Sequence, residues 1–263
     1  QTPRQKTPLG RFQRILRHMR RMASHDAGTV LITMVLAAGS SSVAGHAQVG
    51  VPPPNNLPHE FITVLNWPKL PDGRRFGSTA GVDVAPDGSI WAYDRCGGLA
   101  LAGGCEENPE RDPIFKFNND TGEVMASFGA GLFAFTHGFY LDHEGYLWVT
   151  EGAPDGDARA EPGYTRGLGH QVHKVDQEGR IVMSLGEAGV HGCDGTHFNG
   201  PSDVVVAPNG DIWVADGHRG GNNRLVKFSP DGRFLLERGG CVGDESKEAG
   251  QFDDPHGIAM DSQ

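Results

Sequence analysis

The chain has 263 residues, enough for one large domain or two small ones, and it contains 39 glycines and 17 prolines. No long stretch shows the 3.6-residue apolar period of an amphipathic helix, so this composition favours short strands joined by tight turns. Acidic residues outnumber basic ones by 33 to 23, which makes nucleic acid and anionic membranes poor partners.

The segment 1–47 differs from the rest and predicts an export signal. It carries seven basic residues and one acid, followed by the apolar run TVLITMVLAAG and the small-residue stretch SSVAGHAQ. This order is typical of a secretory signal peptide, and the apolar run is short for a membrane anchor, the alternative interpretation. We therefore expect a secreted or periplasmic protein with no stable membrane anchor after cleavage.

From residue 78 onward, one pattern occurs three times. The segments AGVDVAPDGSIWAYDR, HGFYLDHEGYLWVTEG and SDVVVAPNGDIWVADG each read as two strands joined by a glycine-containing turn. A second hairpin, with turn NDTGE, DQEGR or SPDGR, follows each of them. Four short strands per unit predict an all-β fold, a β-propeller of four-stranded blades over 78–263. A β-sandwich, the competing fold, does not explain why each tryptophan recurs at the same place.

The two ends of this region lead to expectations about ring closure. A fourth unit starts at DPHGIAMDSQ and stops before its first turn, and a single strand leaves a blade edge unpaired. We therefore expect a longer native protein, of which about three and a part of the blades are present here. The segment 48–77 contains EFITVLNWPKL, which predicts a strand that helps to close the ring.

The first strands of the four units begin with Ala80, His137, Ser202 and His256. In a propeller, these equivalent positions approach one another near one end of the central channel. Two histidines in the same register predict a shared metal ion, and zinc is the ion that histidine ligands favour. We expect the third ligand to come from later blades. The alternative is that each histidine only caps its strand or bonds a backbone carbonyl.

The second strands end in an acid, Asp94, Glu151 or Asp216, and this repetition predicts a structural role in binding turn amides. Arg95 follows the first acid where the other two units have glycine. A guanidinium there is predicted to hold a substrate carboxylate, with a salt bridge to a neighbouring acid as the alternative.

Three further histidines and four cysteines complete the candidates. His218, in DGHRGGNN, is predicted to be an accessible proton acceptor or else a polar loop residue. His170 and His173 are interpreted as surface or capping residues. The cysteines suggest disulfides in an exported chain, with three possible connectivities. A pair formed by Cys96 and Cys105 is the most plausible, and Cys193 and Cys241 each follow the end of a repeat and so are able to meet between neighbours.

The segments GVDVAPDGSIWAYDR, HGFYLDHEGYLWVTEG, HFNGPSDVVVAPNGDIWVADGH and GQFDDPHGIAM resemble NHL-type six-bladed propellers, and among these the peptidyl-α-hydroxyglycine α-amidating lyase family. The resemblance covers about residues 80–263. It implies that His137 and His256 hold zinc, that Arg95 engages the substrate, and that the backbone carbonyls of Val82 and Phe139 bind a structural calcium ion.

The chain departs from the family at two places. The family's catalytic tyrosine aligns with His218, and the family's disulfide spacing does not match Cys193 and Cys241. The implied reaction splits the N–C bond of a C-terminal α-hydroxyglycine in a peptide or small-molecule substrate with a carboxylate, giving an amide and glyoxylate. The alternatives are a non-catalytic NHL propeller that binds a protein or polysaccharide, and another propeller enzyme such as a lactonase or a streptogramin-lyase-like enzyme.

Overall fold

The computed structural model describes residues 61–98, 104–152, 167–218, 220–243 and 250–261, so the predicted signal segment 1–47 lies outside the described residues. This part of the chain forms three four-stranded antiparallel sheets, in which each strand pairs with its neighbours in sequence. We call the sheets blade 1 (β1–β4), blade 2 (β5–β8) and blade 3 (β9–β12). None of the described helices is long and apolar enough to cross a bilayer.

The strands of blade 1 are β1 (Thr79–Val84), β2 (Ile90–Asp94), β3 (Ile114–Phe117) and β4 (Val124–Phe128). Those of blade 2 are β5 (Thr136–Leu141), β6 (Leu147–Glu151), β7 (Gln171–Val175) and β8 (Ile181–Leu185). Those of blade 3 are β9 (Pro201–Val206), β10 (Ile212–Asp216), β11 (Asn223–Phe228) and β12 (Phe234–Gly240). The helical segments are a 3-10 turn (Pro71–Gly73) and α1 (Gly104–Glu107).

The predicted hairpin turns are confirmed, and each depends on a glycine. Gly88, Gly145 and Gly210 close the first hairpins with φ angles of 81°, 88° and 86°. Each donates its backbone N–H to the carbonyl three residues earlier, over 2.8 to 3.0 Å. Residues with a Cβ are disfavoured in this left-handed region, so the turns hold the three hairpins in one register.

The blades pack face to face through two apolar clusters. Trp91 and Tyr93 of blade 1 are fully buried against a cluster that includes Leu147 of blade 2. Trp148 of blade 2 occupies the equivalent place against Val214 of blade 3. Burial of each such side chain contributes about 1.5 to 3 kcal/mol, which explains the tryptophan at this place in blades 1 and 2. Trp213 of blade 3 is half-buried. The architecture is that of a β-propeller, as predicted.

The ring-closing strand expected in the segment before blade 1 stays a prediction, and residues 48–60 of that segment lie outside the described residues. Residues 61–70 contain no strand, and Lys69 makes only an isolated bridge with Glu123. The segment instead covers the open face of blade 1 with apolar side chains, because Trp67, Leu70 and Phe76 pack on Phe115 and Phe117.

The carboxylates at the ends of β2, β6 and β10 form what we call the carboxylate row (Asp94, Glu151, Asp216). All three are buried, with 0%, 1% and 0% exposure. Each accepts hydrogen bonds from backbone N–H groups of a loop that enters or leaves its blade. The donors are Gly77 and Gly97 for Asp94, Ala134 for Glu151 and Asn199 for Asp216. The structural role predicted for this row is confirmed.

Both disulfides pair as the sequence favoured. Cys96 and Cys105 close a short loop beside blade 1. Cys193 and Cys241 join the loop after blade 2 to the end of blade 3, across a sequence separation of 48 residues. Such bridges are typical of proteins that fold in oxidising compartments.

Candidate functional site

Three histidines from two blades and from the segment after blade 3 meet at one end of the blades, and we call them the histidine cluster (His137, His218, His256). The ring centroid of His137 lies 4.2 Å from that of His218 and 4.7 Å from that of His256. The rings of His218 and His256 lie 5.0 Å apart. One ligand atom from each residue lies within 4.8 Å of the other two, which is close enough for a shared metal ion.

The cluster forms because glycines after two of the carboxylates leave room for the segments that carry His137 and His256. Gly152 follows the carboxylate of blade 2, and a Cβ at that position would lie 2.9 Å from the Cβ of His137. Gly217 follows the carboxylate of blade 3, and a Cβ there would lie 2.2 Å from Pro255, the residue before His256. Both approaches are closer than real Cβ atoms adopt. Blades 2 and 3 therefore require glycine at the position that Arg95 occupies in blade 1.

The backbone selects the tautomer of two of these histidines. Nδ1 of His137 lies 2.6 Å from the carbonyl oxygen of Ser202, and Nδ1 of His218 lies 3.2 Å from that of Gly152. A carbonyl only accepts, so each Nδ1 carries the proton and each lone pair resides on Nε2. Metal-binding histidines in proteins are oriented in this way by a hydrogen bond from their other nitrogen.

The charge state of His137 also suits a metal ligand. Its side chain is 9% exposed, and burial lowers the pKa of His137 to about 4. The hydrogen bond to Ser202 opposes this shift, while the charges of His256 and Arg95 add to it. His137 is therefore neutral near pH 7, as coordination requires. Three imidazoles with an open fourth position are a known donor set for catalytic zinc.

A buried threonine supports the orientation of His137. The Oγ1 of Thr150 accepts the backbone N–H of Gly138 over 2.6 Å and donates to the carbonyl of Ser202 over 3.2 Å. That carbonyl is the same one that binds His137. The hydroxyl of Ser202 in turn donates to the carbonyl of Pro255 over 2.7 Å. These bonds connect the two histidine-bearing segments to the intervening strands.

Arg95 lies beside the histidine cluster, as its predicted position in the channel requires. Its Nε donates to the carbonyl of Thr136 over 3.2 Å, and its guanidinium carbon lies 4.3 Å from the ring centroid of Phe135. The ring of Phe135 also lies 5.4 Å from that of His218. The guanidinium is half-buried, which strengthens its attraction for an anion relative to bulk water.

The residues named for calcium occupy equivalent places in β1 and β5. Val82 and Phe139 are each the second residue after the start of the repeat, and both strands lie at the inner edge of their blades. The two strands approach closely, since a Cβ on Gly81 would lie 2.4 Å from the Cβ of Phe139. Calcium binding by these carbonyls stays a prediction.

The surface position predicted for His170 and His173 is wrong. They are 6% and 5% exposed. His173 points between strands, with Nδ1 2.9 Å from Oγ of Ser184, and burial lowers the pKa of His173 to about 4. The register pairs His173 with Ser184, and this cross-strand partner satisfies the imidazole inside the blade. Sequence reasoning also missed Phe135 and Thr150, because the contacts that give these two residues their roles are not visible in the repeat pattern.

Comparison with known proteins gives three findings. Residues 198–228 match the NHL repeat. The chain is 33% identical over 202 residues to a Caenorhabditis elegans protein named "probable peptidyl-alpha-hydroxyglycine alpha-amidating lyase", covering 71% of this chain and 51% of that protein. It is 35% identical over 155 residues to the peptidylglycine alpha-amidating monooxygenase of Rattus norvegicus, covering 57% of this chain and 14% of that protein. The chain thus spans about half the length of the first relative and a smaller part of the second.

Proposed function

We propose that this NHL-repeat β-propeller, which resembles the peptidyl-α-hydroxyglycine α-amidating lyases, is a zinc-dependent lyase of that type. The observation that carries the proposal is the adjacency of Arg95 to the histidine cluster. A site for a metal ion beside a cation that binds carboxylates suits a substrate with a hydroxyl and a carboxylate on one carbon. The lyase names of the relatives support the same reaction class.

The histidine cluster would hold the zinc ion. Bound there, zinc would supply a Lewis acid that lowers the pKa of the substrate hydroxyl. His137 and His256 keep the ligand roles expected from the sequence. We assign His218 to the same role rather than to that of a base, because its Nδ1–H bonds the carbonyl of Gly152 and its ring lies against both other histidines.

Arg95 would orient the substrate. Its planar guanidinium suits a carboxylate through two parallel hydrogen bonds, and such charged bonds are stronger than neutral ones. In the reaction, the bond between the amide nitrogen and the hydroxylated carbon breaks and the nitrogen gains a proton. The hydroxyl loses its proton and becomes the aldehyde oxygen of glyoxylate. Atoms balance, because the substrate yields one amide and one glyoxylate.

The remaining assignments follow from the same proposal. The substrate is a peptide or a small N-acyl compound that ends in α-hydroxyglycine, and the acidic chain gives no reason to expect a nucleic acid partner. The two disulfides fit a secreted or periplasmic enzyme. A structural calcium ion on the carbonyls of Val82 and Phe139 would tie the inner strands of blades 1 and 2 together.

The test is turnover of α-hydroxyhippurate by the full-length protein, with benzamide and glyoxylate as the products measured. We expect activity that a chelator removes and zinc restores. Arg95→Gln should lower kcat/KM about 10- to 150-fold, since bonds to a charged group contribute about 1.5 to 3 kcal/mol. The matched control is Arg233→Gln, which removes an exposed arginine paired with Asp231. No glyoxylate from zinc-loaded wild-type protein would overturn the proposal.

A further inference from the structure

Phe135 lies between the two halves of the candidate site, immediately before β5. The side chain is 2% exposed, so it is shielded from solvent and has no surface for a large substrate. The guanidinium carbon of Arg95 lies 4.3 Å from the centroid of its ring. The same ring lies 5.4 Å from the ring of His218 and 6.0 Å from that of His137.

We propose that Phe135 is a positioning residue that fixes the distance between the carboxylate-binding guanidinium and the histidine cluster. Through that distance it selects substrates whose carboxylate and hydroxyl are on the same carbon, that is, 2-hydroxy acids. The reaction it would serve rests on the proposed function. The positioning itself rests on the packing around one ring.

A hydrogen bond and an aromatic ring both hold the guanidinium. Its Nε donates to the carbonyl of Thr136, one residue after Phe135, and its plane is backed by the aromatic ring. A cation over a phenyl face is attracted by the ring quadrupole, more strongly where water is excluded. The five donors of an arginine form a rigid, planar fork, which binds a carboxylate well only in one orientation. A guanidinium that already has this orientation loses less conformational entropy when the carboxylate binds.

The histidine side depends on the same ring. His218 has its Nδ1 on the carbonyl of Gly152, and the Phe135 ring packs against its imidazole at an interplanar angle of 35°. Because interiors are close-packed, a smaller side chain at Phe135 lets both Arg95 and His218 shift into the vacated space. One substitution should therefore change carboxylate affinity and metal affinity together.

The experiment compares Phe135→Leu with Phe133→Leu in the full-length protein. Phe133 is the matched control because it is 1% exposed, lies two residues earlier, and packs instead on Tyr93 and His173. Both variants lose the same atoms from a buried site, so equal losses of stability are expected. Phe135→Tyr keeps the aromatic face and should restore binding.

The readouts are the cobalt affinity of the protein and the affinity of the cobalt-loaded protein for hippurate, a carboxylate without the hydroxyl. For Phe135→Leu, we expect hippurate affinity to fall about 2- to 13-fold, because ordering a guanidinium that is no longer held costs about 0.5 to 1.5 kcal/mol on binding. Cobalt affinity should fall as well, with a changed visible spectrum. With α-hydroxyhippurate, KM should rise more than kcat falls, while 3-hydroxy acids should compete better than with wild type.

The outcomes separate this inference from the proposed function. If Phe135→Leu and Phe133→Leu behave alike in both binding readouts, the positioning role is wrong. If the wild-type protein binds neither cobalt nor hippurate, there is no site to position and the inference also fails. If both ligands bind to wild type and weaken in Phe135→Leu, but no glyoxylate forms, the inference stands and the lyase proposal fails.

Discussion

The carboxylate row and the histidine cluster occupy the same end of the blades but follow opposite rules. The carboxylates stand at one repeated position, are almost wholly buried, and bind backbone amides in every blade. The histidines do not repeat at one position, since His137 and His256 begin units while His218 follows β10. The carboxylate row is therefore part of what each blade needs in order to fold. The histidine cluster is not required by the blade and forms a candidate site at one end of the blades.

The residue after each carboxylate shows how one set permits the other. Glycine at this place lets blades 2 and 3 bring His137 and Pro255 close to the neighbouring backbone. Blade 1 has Arg95 there, and its side chain turns toward Phe135. A single position in the repeat thus provides space for ligands in two blades and a charge in the third.

The largest effect should come from breaking the row at Asp216. Its carboxylate binds Arg224, Asn222 and the backbone of Asn199, and both Asp216 and Arg224 have 0% exposed side chains. Asp216→Ala leaves the arginine with less compensation and should lower the free energy of unfolding by about 3 to 5 kcal/mol. Unfolding in urea measures this change in the free energy of unfolding.

The control for Asp216→Ala is Asp231→Ala, which removes a carboxylate paired with Arg233 at the surface. Its unfolding midpoint should stay close to that of the wild type, because exposed pairs contribute little. Equal destabilisation by the two variants would contradict the structural role that we assign to the row.

The buried histidine His173 should make the stability of the protein depend on pH. Burial lowers the pKa of His173 to about 4, from an ordinary value of 6.5. Between these two pH values His173 is protonated in the unfolded chain but neutral in the folded protein. The free energy of unfolding therefore falls as the pH falls from 6.5 toward 4. The contribution of His173 is on the order of 3 kcal/mol. Chemical unfolding at a series of pH values measures it.

His173→Gln should reduce this slope. His197 provides the contrast, since the hydrogen bond that its imidazole donates to Asp194 raises the pKa of His197. Loss of the His197 imidazole should therefore change the slope in the opposite direction. A pH dependence that is unchanged in His173→Gln would show that its burial is not linked to protonation.

A histidine that serves the site should affect metal binding and leave stability unchanged. His256→Ala removes an exposed side chain, so the free energy of unfolding should stay within about 0.5 kcal/mol. Zinc affinity should fall at least about 100-fold, the upper range for disturbing even an outer partner of a metal ligand. The control is His143→Ala, an exposed histidine on the turn after β5. Equal zinc affinity in the two variants would remove His256 from the site.

Much of the fold was predictable because its signals repeat. Turn glycines, tryptophans and carboxylates recur at fixed spacing, so three copies identify the blade and show which residues it requires. The same comparison isolated His137, His256 and Arg95 as positions that the fold does not dictate. The pairing of Cys96 with Cys105 followed from the short loop between them.

The rest depended on contacts between blades that spacing along the chain does not encode. His218 follows β10 in a loop, and only the packing of blade 3 on blade 2 brings its Nδ1 to the carbonyl of Gly152. Phe135 precedes its strand, and its contacts with Arg95 of blade 1 and His218 of blade 3 are not encoded in the repeat pattern. His173 was misjudged because a polar residue in a strand looks exposed until its partner, Ser184, is known.

The smallest effect is expected at Thr150, which connects the packing of the blades to the histidine cluster. The hydroxyl of this buried residue satisfies the N–H of Gly138 and shares the Ser202 carbonyl with His137. Thr150→Val keeps the shape but leaves the donor unpaired, which should cost roughly 1 to 2 kcal/mol of stability.

Zinc affinity should fall about tenfold in Thr150→Val, because the partner that orients His137 is itself less constrained. Thr136→Val is the matched control, because its buried hydroxyl donates to the carbonyl of Asp94 rather than to that of Ser202. Its stability should fall while its zinc affinity stays constant. If both variants bind zinc as wild type does, the geometry of His137 is set by its own backbone and by Gly152. If only Thr150→Val binds weakly, a residue that sequence repetition did not single out links the packing of the blades to the histidine cluster.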